Sequence, residues 1–188
     1  MPLVYADTSA LFAYFHPGDS FSGSVDAAVA QHSPDFAYWP LLRFELRHNL
    51  RRLQSTSDGG VAWRALRAAE NTSARLRWQN DLGIARIVES AEELSAKHSD
   101  DIFCGSGDVL HVAAAQRLKL LAEFDEFWTC DDLQAKFARA SYTYMDIDDF
   151  SYWTMGAPLD DTTIINRKQV ARNAAGCANG FVWQGSVS

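Results

Sequence analysis

Cysteine is scarce and unpaired. Its three occurrences, Cys104, Cys130 and Cys177, are odd in number, widely spaced and without a C-x-x-C pair, so neither a disulfide framework nor a structural zinc site is suggested. The five histidines, at 16, 32, 48, 98 and 111, include no H-E-x-x-H arrangement and no Cys/His cluster, which argues against zinc hydrolase chemistry. No stretch approaches the ~18 apolar residues of a membrane span, and no basic segment precedes an apolar one at the start. A cytoplasmic protein is expected, with no membrane partner. Positive charge is in deficit, with 17 Lys and Arg against 24 Asp and Glu and a net charge of −7. Coating nucleic acid through bulk basicity is therefore excluded. No internal repeat of about 20 to 50 residues is visible.

What is present is one domain's worth of apolar sequence, 47% hydrophobic over 188 residues. Its charge is unevenly placed. Between Arg43 and Arg77 stand eight arginines (43, 47, 51, 52, 64, 67, 75 and 77) against three acids (Glu45, Asp58 and Glu70), a basic arm on an acidic body. Arg43, Arg47 and Arg51 recur at i+4 spacing, which suits either RNA backbone contacts or a solvated or partner-binding face.

The chain opens LVYADTSALFAYF, an apolar run interrupted by Asp7. Burying an unpaired carboxylate costs several kcal/mol, so Asp7 needs an exposed end, a partner or a cation. One reading makes Asp7, Thr8 or Ser9 the cap of a helix starting at Ala10. The other makes residues 3–6 a strand of a parallel sheet with Asp7 at its carboxyl end, where open α/β sheets place ligands.

Further along, FAYWP reads as a second strand. Leu42, Leu46, Leu50 and Leu53 then form a helical stripe, with Glu45 on its border at about 95° from the centre. TSDGG breaks this helix, and VAWRALRAAENTSARLRWQNDL reads as a second long helix, giving a basic helical hairpin. After the turn FCGSG, Asp108 lies in the first turn of a new helix, where a carboxylate also suits the helix dipole. His111, on that helix, is better read as a structural histidine than as a substrate contact. EFWTCDDLQAKFARA repeats the opening grammar: strand, then Asp131 and Asp132, then helix. YTYMDI reads as a last strand. Residues 148–188 read as an extension of unknown role, partly disordered or partner-dependent.

Four acids thus stand at element ends or borders: Asp7, Glu45, Asp108 and Asp131. In a parallel βαβ arrangement the carboxyl ends of the strands share one edge, where these residues can converge. Gathered carboxylates raise one another's pKa unless cations neutralise them, and hard oxygen ligands select Mg²⁺ or Mn²⁺. Such ions activate water and stabilise charge on a phosphodiester during displacement.

The segments YADTSALF, FELRHNL, GDVLHVAAA and FWTCDDLQAKFA together resemble the ordered motifs of the PIN-domain ribonucleases, particularly the VapC-type toxins of toxin–antitoxin modules. The resemblance covers residues 1–147. It implies an α/β, PIN-like three-layer fold, with a central parallel sheet flanked by helices. It also implies an Mg²⁺ or Mn²⁺ site built from Asp7, Glu45, Asp108 and Asp131, supported by Ser9 and by Thr129 of the T-x-D motif. Asp132 is either an additional ligand or the cap of the following helix. The implied activity is endonucleolytic hydrolysis of RNA by metal-activated water, restrained by a cognate antitoxin, in a homodimer. Two other functions compete. Aspartyl-phosphate hydrolases place a second Asp where this chain has Ser9, which ranks them lower. A non-catalytic PIN-like module that binds RNA or protein has no evident use for four gathered acids.

Overall fold

The structure is a computed structural model and describes residues 1–121, 126–144 and 151–154. Five parallel strands, β1 (Leu3–Ala6), β2 (Asp35–Tyr38), β3 (Leu76–Trp78), β4 (Glu126–Thr129) and β5 (Ser151–Thr154), form one sheet in the order β3-β2-β1-β4-β5. In register, Val4 pairs with Phe36 of β2 on one side and with Glu126 of β4 on the other. Among the described residues seven helices flank the sheet: α1 (Thr8–Phe15), α2 (Ser22–His32), α3 (Pro40–Leu53), α4 (Ser57–Thr72), α5 (Ile84–His98), α6 (Ser106–Leu121) and α7 (Asp132–Tyr144). The expected class, a central parallel sheet between helices, is the one observed.

Burial explains the composition of these elements. Val4, Tyr5, Ala6, Phe36, Ala37, Tyr38, Phe127 and Trp128 are all inaccessible, as in strands covered on both faces. Helix α3 starts at Pro40, whose fixed φ suits the first helical position, and buries Leu42, Leu46 and Leu50 completely. Each such leucine contributes roughly 1.5–3 kcal/mol of apolar burial. Helix α6 is the most enclosed, with Val109, Val112, three successive alanines from 113 to 115 and Leu118 in the core.

Two expected elements differ. The stretch read as one long helix from Val61 ends at Thr72, because Ser73 and Arg75 take left-handed backbone angles (φ of 53° and 59°). Residues 76–78 then pair with β2 as an edge strand. The strand expected in YTYMDI is helical through Tyr144. The compact unit carrying the sheet runs Met1–Ala157. Strand β5 therefore lies past residue 147, where the sequence places the start of an extension. Pro158–Ser188, and with them the disorder expected of the tail, lie outside the described residues. Among the described residues no helix is long and apolar enough to cross a membrane.

Candidate active site

The strand order creates the site. The chain runs outward from β1 through β2 to β3, then returns to lay β4 on the other side of β1. In open α/β sheets the connections leave to opposite faces at such a reversal, and a crevice opens at the carboxyl ends of the two strands. Asp7 follows β1 and Asp131 follows β4, and the backbone Asp7 N–H donates to the Trp128 carbonyl at 2.9 Å. Both acids line a cavity of about 780 Å³, together with Glu45 from α3 and Asp108 from the first turn of α6. Acids separated by more than a hundred positions thus share one space.

Asp7 satisfies both readings of its sequence context. It ends β1 and also caps α1, Oδ1 accepting from Ala10 N at 2.8 Å. The Ser9 hydroxyl lies 2.7 and 2.9 Å from its two oxygens and accepts from Cys130 N at 2.9 Å. The Thr129 hydroxyl lies 3.1 Å from Asp7 Oδ2 and 2.6 Å from Gln134 Oε1, with one proton for the two, and accepts from Asp131 N at 3.0 Å. Ser9 and Thr129 therefore tie the end of β1 to the end of β4. Asp7 is only 3% exposed. Burial pushes its carboxyl up to about 6, against the pull of His111 and of the hydrogen bonds from Ala10, Ser9 and Thr129. A carboxylate in this state gains from a cation.

Glu45 is held by a buried relay that the sequence reading did not place in the site. Trp39 Nε1 donates to the Tyr5 hydroxyl at 2.8 Å. The Tyr5 hydroxyl lies 2.8 Å from His111 Nδ1, and His111 Nε2 lies 2.7 Å from Glu45 Oε2. Indole only donates, so in the neutral ring Tyr5 gives its proton to Nδ1 and Nε2–H donates to Glu45. The Thr8 hydroxyl donates to the same oxygen at 2.5 Å. Burial disfavours the Glu45 charge, but the bond to His111, its charge when protonated and the Thr8 hydroxyl outweigh this and hold the carboxyl below its usual range. The only sequence signal for His111 was its place one helical turn after Asp108.

Asp108 Oδ2 accepts from Gly105 N at 3.2 Å, and a Cβ on Gly105 would stand 2.8 Å from that oxygen. Asp131 Oδ1 accepts from Leu133 N and Gln134 N at 2.8 and 3.2 Å, so the cap of α7 is Asp131. Asp132 opens α7 and is not among the residues lining the cavity. Among the described residues, no three acid, histidine or cysteine side chains stand close enough to hold one cation as they are oriented. Mg²⁺ keeps several waters and is satisfied by one or two carboxylates, so this donor set, all oxygen around a buried acid, suits a hard divalent ion in kind.

The basic arm is organised differently from the expectation. Glu70, with its side chain 5% exposed, receives Arg47 through two nitrogens at 2.8 and 2.6 Å, Arg67 at 2.7 Å and the Tyr38 hydroxyl at 2.8 Å, with Arg43 at 3.4 Å. Burial opposes the Glu70 charge, but these donors hold its carboxyl below the usual range. Arg43 and Arg47 therefore fasten α3 to α4 and do not form an open basic face. Arg43 also lies over the Trp78 ring and Arg51 over Trp63, at 5.3 and 5.2 Å, while Trp39 is buried. The face of α3 that meets the cavity carries Phe44, Glu45, His48, Asn49 and Arg52.

No family model matches the sequence, and no curated protein matches it. Among solved structures, the chain is similar to VapC20 of Mycobacterium tuberculosis, a sarcin–ricin loop cleaving toxin. That likeness has a TM-score of 0.52 at 19% identity and covers 71% of this chain and 94% of that one. A looser likeness, with a TM-score of 0.49 at 10% identity, relates 80% of this chain to 98% of a chain of VapBC2 from Rickettsia felis, bound to a DNA fragment from its promoter. The first of these establishes the fold as the three-layer, PIN-like fold of VapC-type proteins.

Proposed function

We propose that the chain is a divalent-cation-dependent endoribonuclease, the toxin of a toxin–antitoxin pair. The observation that carries this is the meeting of Asp7, Glu45, Asp108 and Asp131 on one cavity at the reversal point of a parallel sheet. The likeness in fold to VapC20 and the motif resemblance support it.

Asp7, Glu45, Asp108 and Asp131 are the residues that would hold Mg²⁺ or Mn²⁺. When bound, such an ion lowers the pKa of water and stabilises charge on phosphodiester oxygens. The chain's own residues supply the rest. Ser9 and Thr129 fix the Asp7 oxygens, so that the carboxylate is pre-oriented and loses little freedom on binding. His111 and Thr8 hold Glu45 ionised, able to orient water at the cavity wall. The buried surroundings of Asp7 weaken competition from solvent and strengthen charge interactions there.

A cognate antitoxin partner, a homodimeric assembly and a cytoplasmic location belong to the same proposal. The experiment is cleavage of mixed single-stranded and hairpin RNAs with Mn²⁺ or Mg²⁺, repeated with chelator and with Asp7→Asn. Cleavage lost in both controls is expected, the variant falling at least a hundredfold, on the order of 3 kcal/mol of transition-state stabilisation. Cleavage that survives chelator contradicts the proposal. RNA binding without cleavage assigns the chain to the non-catalytic alternative.

A further inference from the structure

Helix α3 carries a second pattern beside its leucine stripe. Phe44, His48 and Arg52 fall at i, i+4 and i+8, on one face, and all three line the cavity that holds the acids. Phe44 is 67% exposed, in a helix whose leucines at 42, 46 and 50 are inaccessible. Its ring stacks on His48 with centroids 6.2 Å apart and planes 23° from parallel. Arg52 makes no ion pair with any described residue, unlike Arg43 and Arg47. A phenyl ring, an imidazole and a guanidinium in one row are three planar groups.

The geometry points to this row as a stacking platform for unpaired RNA bases, with Phe44 as the ring on which a base next to the scissile phosphate lies. This rests on RNA being the ligand of the acidic cavity. Three features favour RNA over a protein partner. A protein-docking helix face repeats aliphatic anchors at i+4 and i+7, whereas here the positions after Phe44 are an imidazole and a guanidinium. Bases splayed from a single strand stack on aromatic rings and on arginine planes. The row also places its cationic end, Arg52, and its ring beside the cavity that holds the four acids, so a base on Phe44 leaves its phosphates between Arg52 and the carboxylates.

Phe44 is exposed, so its replacement leaves the core intact and separates stacking from folding. The test is fluorescence polarisation of a 5′-fluorescein single-stranded RNA with the full chain and with Phe44→Trp, Phe44→Leu and Phe44→Ala, in chelator so that binding is read without cleavage. Phe44→Trp is expected to bind as well as the parent, and Leu and Ala to lose roughly tenfold, since stacking on one base carries about that much. Replacing one nucleotide by an abasic ribose is expected to cost the parent a similar factor and Phe44→Leu almost nothing more. Arg52→Gln is expected to lower the slope of log affinity against log salt by about one phosphate contact. Binding by Phe44→Leu equal to the parent's overturns the platform even if the chain cleaves RNA. A requirement for Phe44 seen only in association between copies of the chain also overturns it and assigns the face to protein. A ring requirement in binding, without any cleavage, upholds the platform and removes the nuclease.

Discussion

Asp7 decides most at the residue scale. An aspartate titrates near 3.9 in an unfolded chain, and here burial raises the folded value to about 6. Between those values Asp7 binds more of its proton in the native state than in the unfolded one, so its contribution to stability falls as pH rises from about 4 to 6 and then levels off. Asp7→Asn removes that fall. In cation-free buffer at neutral pH it is expected to be more stable than the parent by on the order of 2 kcal/mol, read by urea unfolding across pH. A difference between Asp7→Asn and the parent that does not grow from about pH 4 to 6 contradicts this. Gly105→Ala tests Asp108 separately. A Cβ there meets the Asp108 carboxylate at 2.8 Å, so the carboxylate must move. RNA cleavage is expected to fall tenfold or more while the melting temperature stays within a few degrees; full activity would show that Asp108 does not depend on this position. The acids at 7, 45, 108 and 131 were legible as charges breaking or bordering apolar runs. The Tyr5–His111–Glu45 relay was not, because hydrogen bonds across a hundred positions leave no periodic trace. Phe44 and Arg52 were also hidden, since which side of α3 faces a cavity depends on where α6 packs.

At the scale of elements, the hairpin of α3 and α4 is held by a charge cluster and by one glycine. A Cβ on Gly59 would stand 1.9 Å from the Leu53 carbonyl oxygen, so the helices meet at backbone distance. Gly59→Ala is expected to cost about 3 kcal/mol, as overpacking in a closed contact does, and to lower the denaturation midpoint without changing its slope. Glu70→Gln leaves Arg47 and Tyr38 facing an uncharged group. Because Arg47 is partly solvated, the expected loss is about 1–2 kcal/mol, read in the same unfolding experiment. No loss would mean that the cluster is already screened. Strand–helix alternation made most elements readable, since period and turn residues are local. Strand β3 escaped because it has three residues, two of them exposed, and follows a helix with only Ser73 and Arg75 to mark the break. Its pairing with β2 is a tertiary effect, including the Arg77 to Asp35 bridge at 2.7 Å.

The whole molecule carries a net charge of −7 and spends several of its arginines on Glu70 and Asp35. Long-range attraction therefore contributes little to any binding of RNA, and local contacts at the cavity must supply it. The parallel sheet was legible from the order strand, carboxylate, helix, met at Asp7 and again at Asp131. The strand order was not, because nothing local says on which side of β1 the returning strand is laid. That order is what turns scattered acids into one site. The most direct measurement is a calorimetric titration of the full chain with Mn²⁺, alongside Asp7→Asn and Asp108→Asn. Binding to the parent that weakens at least tenfold in both variants is predicted; no binding to the parent, or equal binding in all three, contradicts the account.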